Sequence, residues 1–126
     1  MLRGGPEDTI CAIATPAGEG GIGIVRLSGS QALRIADKFV QLRSGQPLAS
    51  VPSHTLCLAD LRFPDMNQTV AQDPSIPNHR ECFDEALVVY MKAPRSFTGE
   101  DIVEIQSHGG SLILSLTCRA CLECRI

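Results

Sequence analysis

No dense block of Lys or Arg interrupts this chain of 126 residues, whose formal net charge is -3. Phosphate backbones are held by clustered cations, so the segment carries no electrostatic footprint for nucleic acid. No apolar run approaches the ~20 residues of a membrane-spanning helix. The residues ahead of Thr9 are too few and too polar for a secretory signal, and the cytoplasm is the expected compartment. A Gly-Lys pair is missing as well. That excludes a P-loop, in which a lysine follows the last glycine, and the chain should not bind or hydrolyse GTP by itself. Internal repeats and low-complexity segments are also lacking. What remains is a chain of the size of one domain, typically ~100–150 residues around one hydrophobic core. Its six cysteines, in the absence of a secretory signal, read as reduced thiols.

Small apolar residues from Ile10 to Thr15, a break at Pro16, Gly18, Gly20 and Gly21, and a second apolar run from Ile22 to Ser28 predict two strands joined by a glycine-rich loop. Ser28 followed by Gln31 matches a capping box. Ala32, Ile35, Ala36, Phe39 and Val40 then recur at helical spacing, predicting a helix from Ser30 to Leu42 with Arg34, Asp37 and Lys38 on its wet side. Between Pro47 and Pro52 lies a loop, and His54 to Phe63 reads as a strand with Leu56, Leu58 and Leu61 inward. Positions 64–81, with three prolines and two asparagines, read as an exposed excursion. The continuous apolar run from Ala86 to Met91 predicts a strand covered on both faces and ended by Pro94.

After the Thr98-Gly99-Glu100-Asp101 turn comes a strand of clean period two. Val103 and Ile105 point one way; Ile102, Glu104, Gln106 and His108 point the other. Gly109 and Gly110 close it. Leu112 to Leu122 is helical in composition and apolar nearly all round, which asks for burial on more than one side. The whole predicts an α+β fold: a mostly antiparallel sheet with two helices on one face.

Four groups of residues invite chemistry. Arg26 shares a strand face with Ile22 and Ile24, and an inward guanidinium needs an anionic partner, met either by an internal ion pair or by a ligand. Glu104 is a carboxylate among apolar neighbours, able to accept two hydrogen bonds from one ligand edge, or else a surface glutamate. His108 reads as a strand-end residue with a structural or pocket-lining role, since the sequence supports no catalytic triad around it. Cys118, Cys121 and Cys124 form C-x-x-C-x-x-C, a spacing shared with iron–sulfur runs. A closed tetrahedral site takes a fourth ligand, and only Arg125 and Ile126 follow. On a helix the three thiols form an apolar strip.

The run FTGEDIVEIQSHGG from Phe97 to Gly110 and the run GEGGIGIVRLSG from Gly18 to Gly29 together resemble the N-terminal domain of the MnmE/TrmE family of tRNA-modification GTPases. The resemblance covers about Asp8 to Gly110. It implies a folate-binding, aminomethyltransferase-like fold in which Arg26 and Glu104 contact 5-formyltetrahydrofolate and the domain pairs with a second copy. It further implies a role in modifying the wobble uridine of tRNA together with an MnmG-type flavoprotein. GTP, magnesium and potassium belong to the full-length family. Residues 1–126 then read as a single N-terminal folate-binding and dimerisation domain, apparently truncated, with the helical and G domains absent. A ligand-free interaction module is the alternative, and after it a small metal-binding protein using the C-terminal cysteines.

Overall fold

Alternation of apolar and polar residues sorts the side chains of each strand between two sheet faces. The computed structural model describes residues 9–14, 20–63 and 82–124. Among these, six strands make one antiparallel sheet: β1 (Ile10–Ile13), β2 (Gly20–Ser28), β3 (Val40–Leu42), β4 (Leu56–Arg62), β5 (Cys82–Met91) and β6 (Ile102–Gly109). Their spatial order is β1-β2-β6-β5-β4-β3. Helix α1 (Ala32–Ala36) follows β2 and helix α2 (Ser111–Glu123) follows β6. The fold is α+β, as the sequence predicts.

One face of the sheet is the core face. Val25 and Leu27 of β2, Val103 and Ile105 of β6, Val88 and Tyr90 of β5, and Ala59 and Leu61 of β4 pack there against both helices. Helix α2 approaches β2 so closely that only glycine fits beneath Leu114. A Cβ on Gly23 would stand 2.5 Å from Leu114 Cδ2 and 3.2 Å from the Gly109 Cα. The opposite face has no helix on it among the described residues, and it carries Ile22, Leu56, Leu58 and Leu87 exposed.

Several elements differ from the sequence reading. The helix expected over Ser30–Leu42 stops at Ala36, where Lys38 and Phe39 donate to the carbonyls of Ile35 and Ala36 and tighten the chain into a turn. Val40 and Leu42 then pair with Leu61 and Ala59 of β4, so sheet pairing takes over residues whose spacing also suits a helix. The capping box does not form. Gln31 is the N-cap but makes no side-chain capping bond, its N–H donates to Thr9 Oγ1, and Ser28 turns elsewhere. In β4, Leu61 is buried but Leu56 and Leu58 are exposed on the other face, because period two cannot bring residues of odd separation to one side.

β5 is longer than expected, and Leu87 remains exposed while Val88 to Met91 are buried. Helix α2, expected to need burial on more than one side, leaves part of its apolar surface exposed. Leu114, Leu116, Thr117, Ala120 and Cys121 are buried, whereas Leu112 and Leu122 face out. The loop expected around Pro16 and the excursion over 64–81 lie outside the described residues.

Candidate functional site

The register of β2 against β6 sets Arg26 directly opposite Glu104 on the open face. Cross-strand neighbours have their Cβ atoms about 5 Å apart, within easy reach of a guanidinium and a carboxylate. Arg26 Nη2 and Nε donate to Glu104 Oε2 at 2.7 and 3.1 Å. Both bonds fall on one oxygen, so the pair is not a two-oxygen fork. Glu104 Oε1 accepts from Gln106 Nε2 at 3.2 Å. Glu104 is only 7% exposed, and a carboxylate so placed costs several kcal/mol unless paired. Arg26 meets that need, and the internal ion pair offered as one reading of Arg26 is realised with the other candidate site residue.

A second layer lies over the guanidinium. Phe97 sits with its ring centroid 4.7 Å from Arg26 Cζ, a cation–π contact. Its ring is otherwise largely exposed. The segment bearing it is anchored at both ends of the turn. Thr98 Oγ1 is 2.8 Å from Ser28 Oγ, Ser28 Oγ donates to Glu100 Oε1 at 3.2 Å, and the Ala93 N–H donates to Asp101 Oδ1 at 2.8 Å. Gly99 holds φ +82°, a left-handed conformation that side chains disfavour. This explains the glycine of the turn by backbone geometry.

Further along β6 the open face sinks into a shallow depression of about 250 Å³, lined by Gly21, Ile22, Leu58, Leu87, Gln106 and His108 among others. His108 lines it from the strand end, as the sequence reading holds. Its Nδ1 lies 2.6 Å from Asp84 Oδ1, and its backbone N–H donates to Asp84 Oδ2 at 2.9 Å. On the rim, Arg43 bonds Asp60 and Glu85.

Sequence reasoning placed Gln106 on the polar face of β6 without giving it a role, and missed Phe97 and Asp84 as members of this surface. Phe97 heads the FTGED run, and Gln106 shares the parity of Glu104, so both carried a usable signal. Asp84 did not, since it reaches His108 across strands.

The three C-terminal cysteines lie on α2. Cys121 and Cys124 are buried and Cys118 is half-buried. A hydrogen bond with Cys11, followed by burial, holds the Cys118 thiol far above the usual thiol range, and burial pushes Cys124 up to about 11. Among the described residues no three His, Cys, Asp or Glu side chains converge on a common point that could hold a metal ion.

The model of the family described as GTP-binding protein TrmE N-terminus matches residues 9–126. Curated relatives named tRNA modification GTPase MnmE agree with this. That of Symbiobacterium thermophilum is 45% identical over 106 residues, 84% of this chain and 20% of the relative. That of Streptococcus agalactiae is 45% identical over 103 residues, 82% and 20%. The Francisella tularensis subsp. novicida protein is 42% identical over 118 residues, 94% and 21%. The chain spans about a fifth of the length of these relatives. With both glycine-bearing motifs placed on β2 and β6 and the match running from Thr9 to the last residue, the chain belongs to the TrmE N-terminus family and corresponds to the N-terminal domain of MnmE.

Proposed function

We propose that the chain is the 5-formyltetrahydrofolate-binding and dimerisation domain of a tRNA-modification GTPase. The observation that carries this reading is the Arg26–Glu104 pair on the sheet face that no helix covers among the described residues, with Phe97 laid over the guanidinium. Arg has five N–H donors and a carboxylate about four acceptor sites; the bonds between them occupy two donors and one oxygen. A reduced folate offers a donor-rich pterin edge to Glu104 and acceptors to Arg26. Its flat rings suit Phe97 and the apolar flanks.

The domain holds a cofactor and performs no chemistry of its own. As one-carbon source, the folate serves modification of the wobble uridine, carried out by the whole protein with an MnmG-type flavoprotein and tRNA. GTP, with magnesium and potassium, belongs to the parts of the protein beyond this domain. Pairing with a second copy is supported by the exposed Ile22, Leu56, Leu58 and Leu87, and by Leu112 and Leu122 on α2. Leu116 does not contribute, being packed in the chain's own cluster with Phe63 and Phe83. No helix among the described residues is long and apolar enough to cross a membrane.

Calorimetry with 5-formyltetrahydrofolate tests the reading. Arg26→Ala should weaken binding by about 1–3 kcal/mol, the range of hydrogen bonds to a charged group. Equal heats for the wild type and the Arg26→Ala/Glu104→Ala variant would refute it.

A further inference from the structure

The ion pair accounts for one end of the open face, and the Asp84–His108 pair at the other end has no assigned role. Asp84 spends both carboxylate oxygens on this one residue, one on the ring and one on the backbone N–H. Its side chain is 10% exposed, against 73% for the His108 side chain. A buried carboxylate that accepts at Nδ1 sets the tautomer: Nδ1 carries the proton and Nε2 is left with a lone pair. A histidine needed only to end a strand would be served by the backbone bond alone.

Between the two ends runs a continuous polar row. Glu104, Gln106 and His108 share one parity on β6, and Gln106 bonds Glu104 and also lines the depression. Apolar residues flank the row on both sides: Ile24 and Ile22 lie opposite Gln106 and His108 on β2, Leu87 lies opposite Gln106 on β5, and Leu58 lies beside Leu87 on β4. Glu104 and His108 are four residue steps apart along the strand, about 14 Å at ~3.4 Å per step. That is the reach of an elongated ligand with a polar group at each end and a flat apolar middle.

We propose that the ligand site extends from the Arg26–Glu104 pair into the depression, where His108 Nε2, oriented by Asp84, accepts a hydrogen bond from an amide N–H of the ligand next to an aromatic ring. The inference rests on the folate reading and refines it. With the pterin edge at Glu104, the benzoyl ring lies among Ile22, Leu58 and Leu87, and the N–H joining it to the glutamate meets Nε2. His108 is then a binding residue and Asp84 a positioning residue.

The test exploits the shapes of two amides. An asparagine nitrogen can overlay Nδ1 and keep the bond to Asp84; a glutamine oxygen can overlay Nε2 and keep the acceptor. Calorimetry would compare 5-formyltetrahydrofolate with 5-formyltetrahydropterin, which lacks the benzoylglutamate. For wild type the full folate should bind more tightly. In H108N that advantage should shrink by about tenfold, the equivalent of roughly 1.4 kcal/mol for one hydrogen bond, with pterin binding unchanged; H108Q should restore part of it.

Equal weakening of both ligands in H108N would mean a general structural effect and overturn the proposal. Full folate binding by H108N would do the same. Nitrogen NMR of the wild type gives an independent check, since a proton found on Nε2 instead of Nδ1 contradicts the orientation assigned here. Binding of neither ligand by the wild type would overturn the folate reading itself, and this inference with it.

Discussion

Replacing Gly23 by alanine adds one methyl group at the tightest contact between sheet and helix. The new Cβ would lie 2.5 Å from Leu114 Cδ2, 3.0 Å from Leu114 Cγ and 3.2 Å from the Gly109 Cα. Ordinary contacts between carbon atoms are about 3.5–4.0 Å, so Leu114 must leave its rotamer or α2 must lift by about an ångström. Leu114 is 7% exposed and packed in the main core, and overpacking of this kind costs about 1–3 kcal/mol. An opposing term acts through the unfolded chain, where alanine is less flexible than glycine and contributes about 0.4–1 kcal/mol in favour of the fold. The net expectation is a loss of about 1.3 kcal/mol at mid-range and of at most about 2.6 kcal/mol. For a domain of this size each kcal/mol moves Tm by roughly 3–6 °C, which thermal denaturation resolves. The double variant Gly23→Ala/Leu114→Ala sharpens the test. Leu114→Ala alone should cost about 2–5 kcal/mol, and in its absence the added methyl fills vacated space, so the double variant should be more stable than the sum of the singles by about 1 kcal/mol or more. Strict additivity, or a Gly23→Ala protein that melts at or above the wild-type temperature, would refute the packing argument.

Other expectations follow from the same coordinates. In a double-mutant cycle, Arg26→Ala and Glu104→Ala should show a coupling energy of about 1–2 kcal/mol by urea denaturation, below the figure for fully buried pairs because Arg26 retains solvent contact. Stability should decline at alkaline pH: the folded state keeps Cys124 protonated to about 11 while the unfolded thiol ionises near the ordinary thiol value of 9.0. The unfolded state therefore releases its proton first, and stability, full below about pH 9, is lost progressively up to about pH 11. Cys124→Ala should flatten that part of a pH-dependent Tm curve, and an unchanged slope would exclude the thiol as its source. Sedimentation under reducing conditions should show self-association. Ile22→Glu or Leu87→Glu abolishing it would place the contact on the open face, Leu112→Glu or Leu122→Glu on α2, and a wild type monomeric at high concentration would exclude both.

What could be read from the sequence was governed by parity and by motif. On β6 the period of two sorted Val103 and Ile105 from Glu104, Gln106 and His108, and the structure keeps that division. Arg26 and Glu104 were legible singly; that each is the other's ion-pair partner was not, because the partnership depends on the register of strands seventy-eight residues apart in sequence. The same limit hid Asp84 beside His108. Local spacing misled between Phe39 and Leu42, where four residues suit a helix and a strand equally and pairing with β4 decides. It misled again on α2, whose composition is apolar nearly all round although only one side finds cover among the described residues. Gly23 carried no signal of its own inside the apolar run from Ile22 to Ser28. Its reason lies in Leu114, on an element folded back from the far end of the chain.

The central claim is that a reduced folate occupies the open sheet face at Arg26 and Glu104. An NMR titration of isotopically labelled protein with 5-formyltetrahydrofolate reads this most directly. A folate bound there should produce saturable shifts at the Arg26 Nε–H, the Phe97 ring, and the backbone amides of Glu104 and Gln106, with the core-face residues Val25, Ile35 and Leu114 undisturbed. Shifts confined to the helix face, or a spectrum unmoved at millimolar ligand, would contradict it.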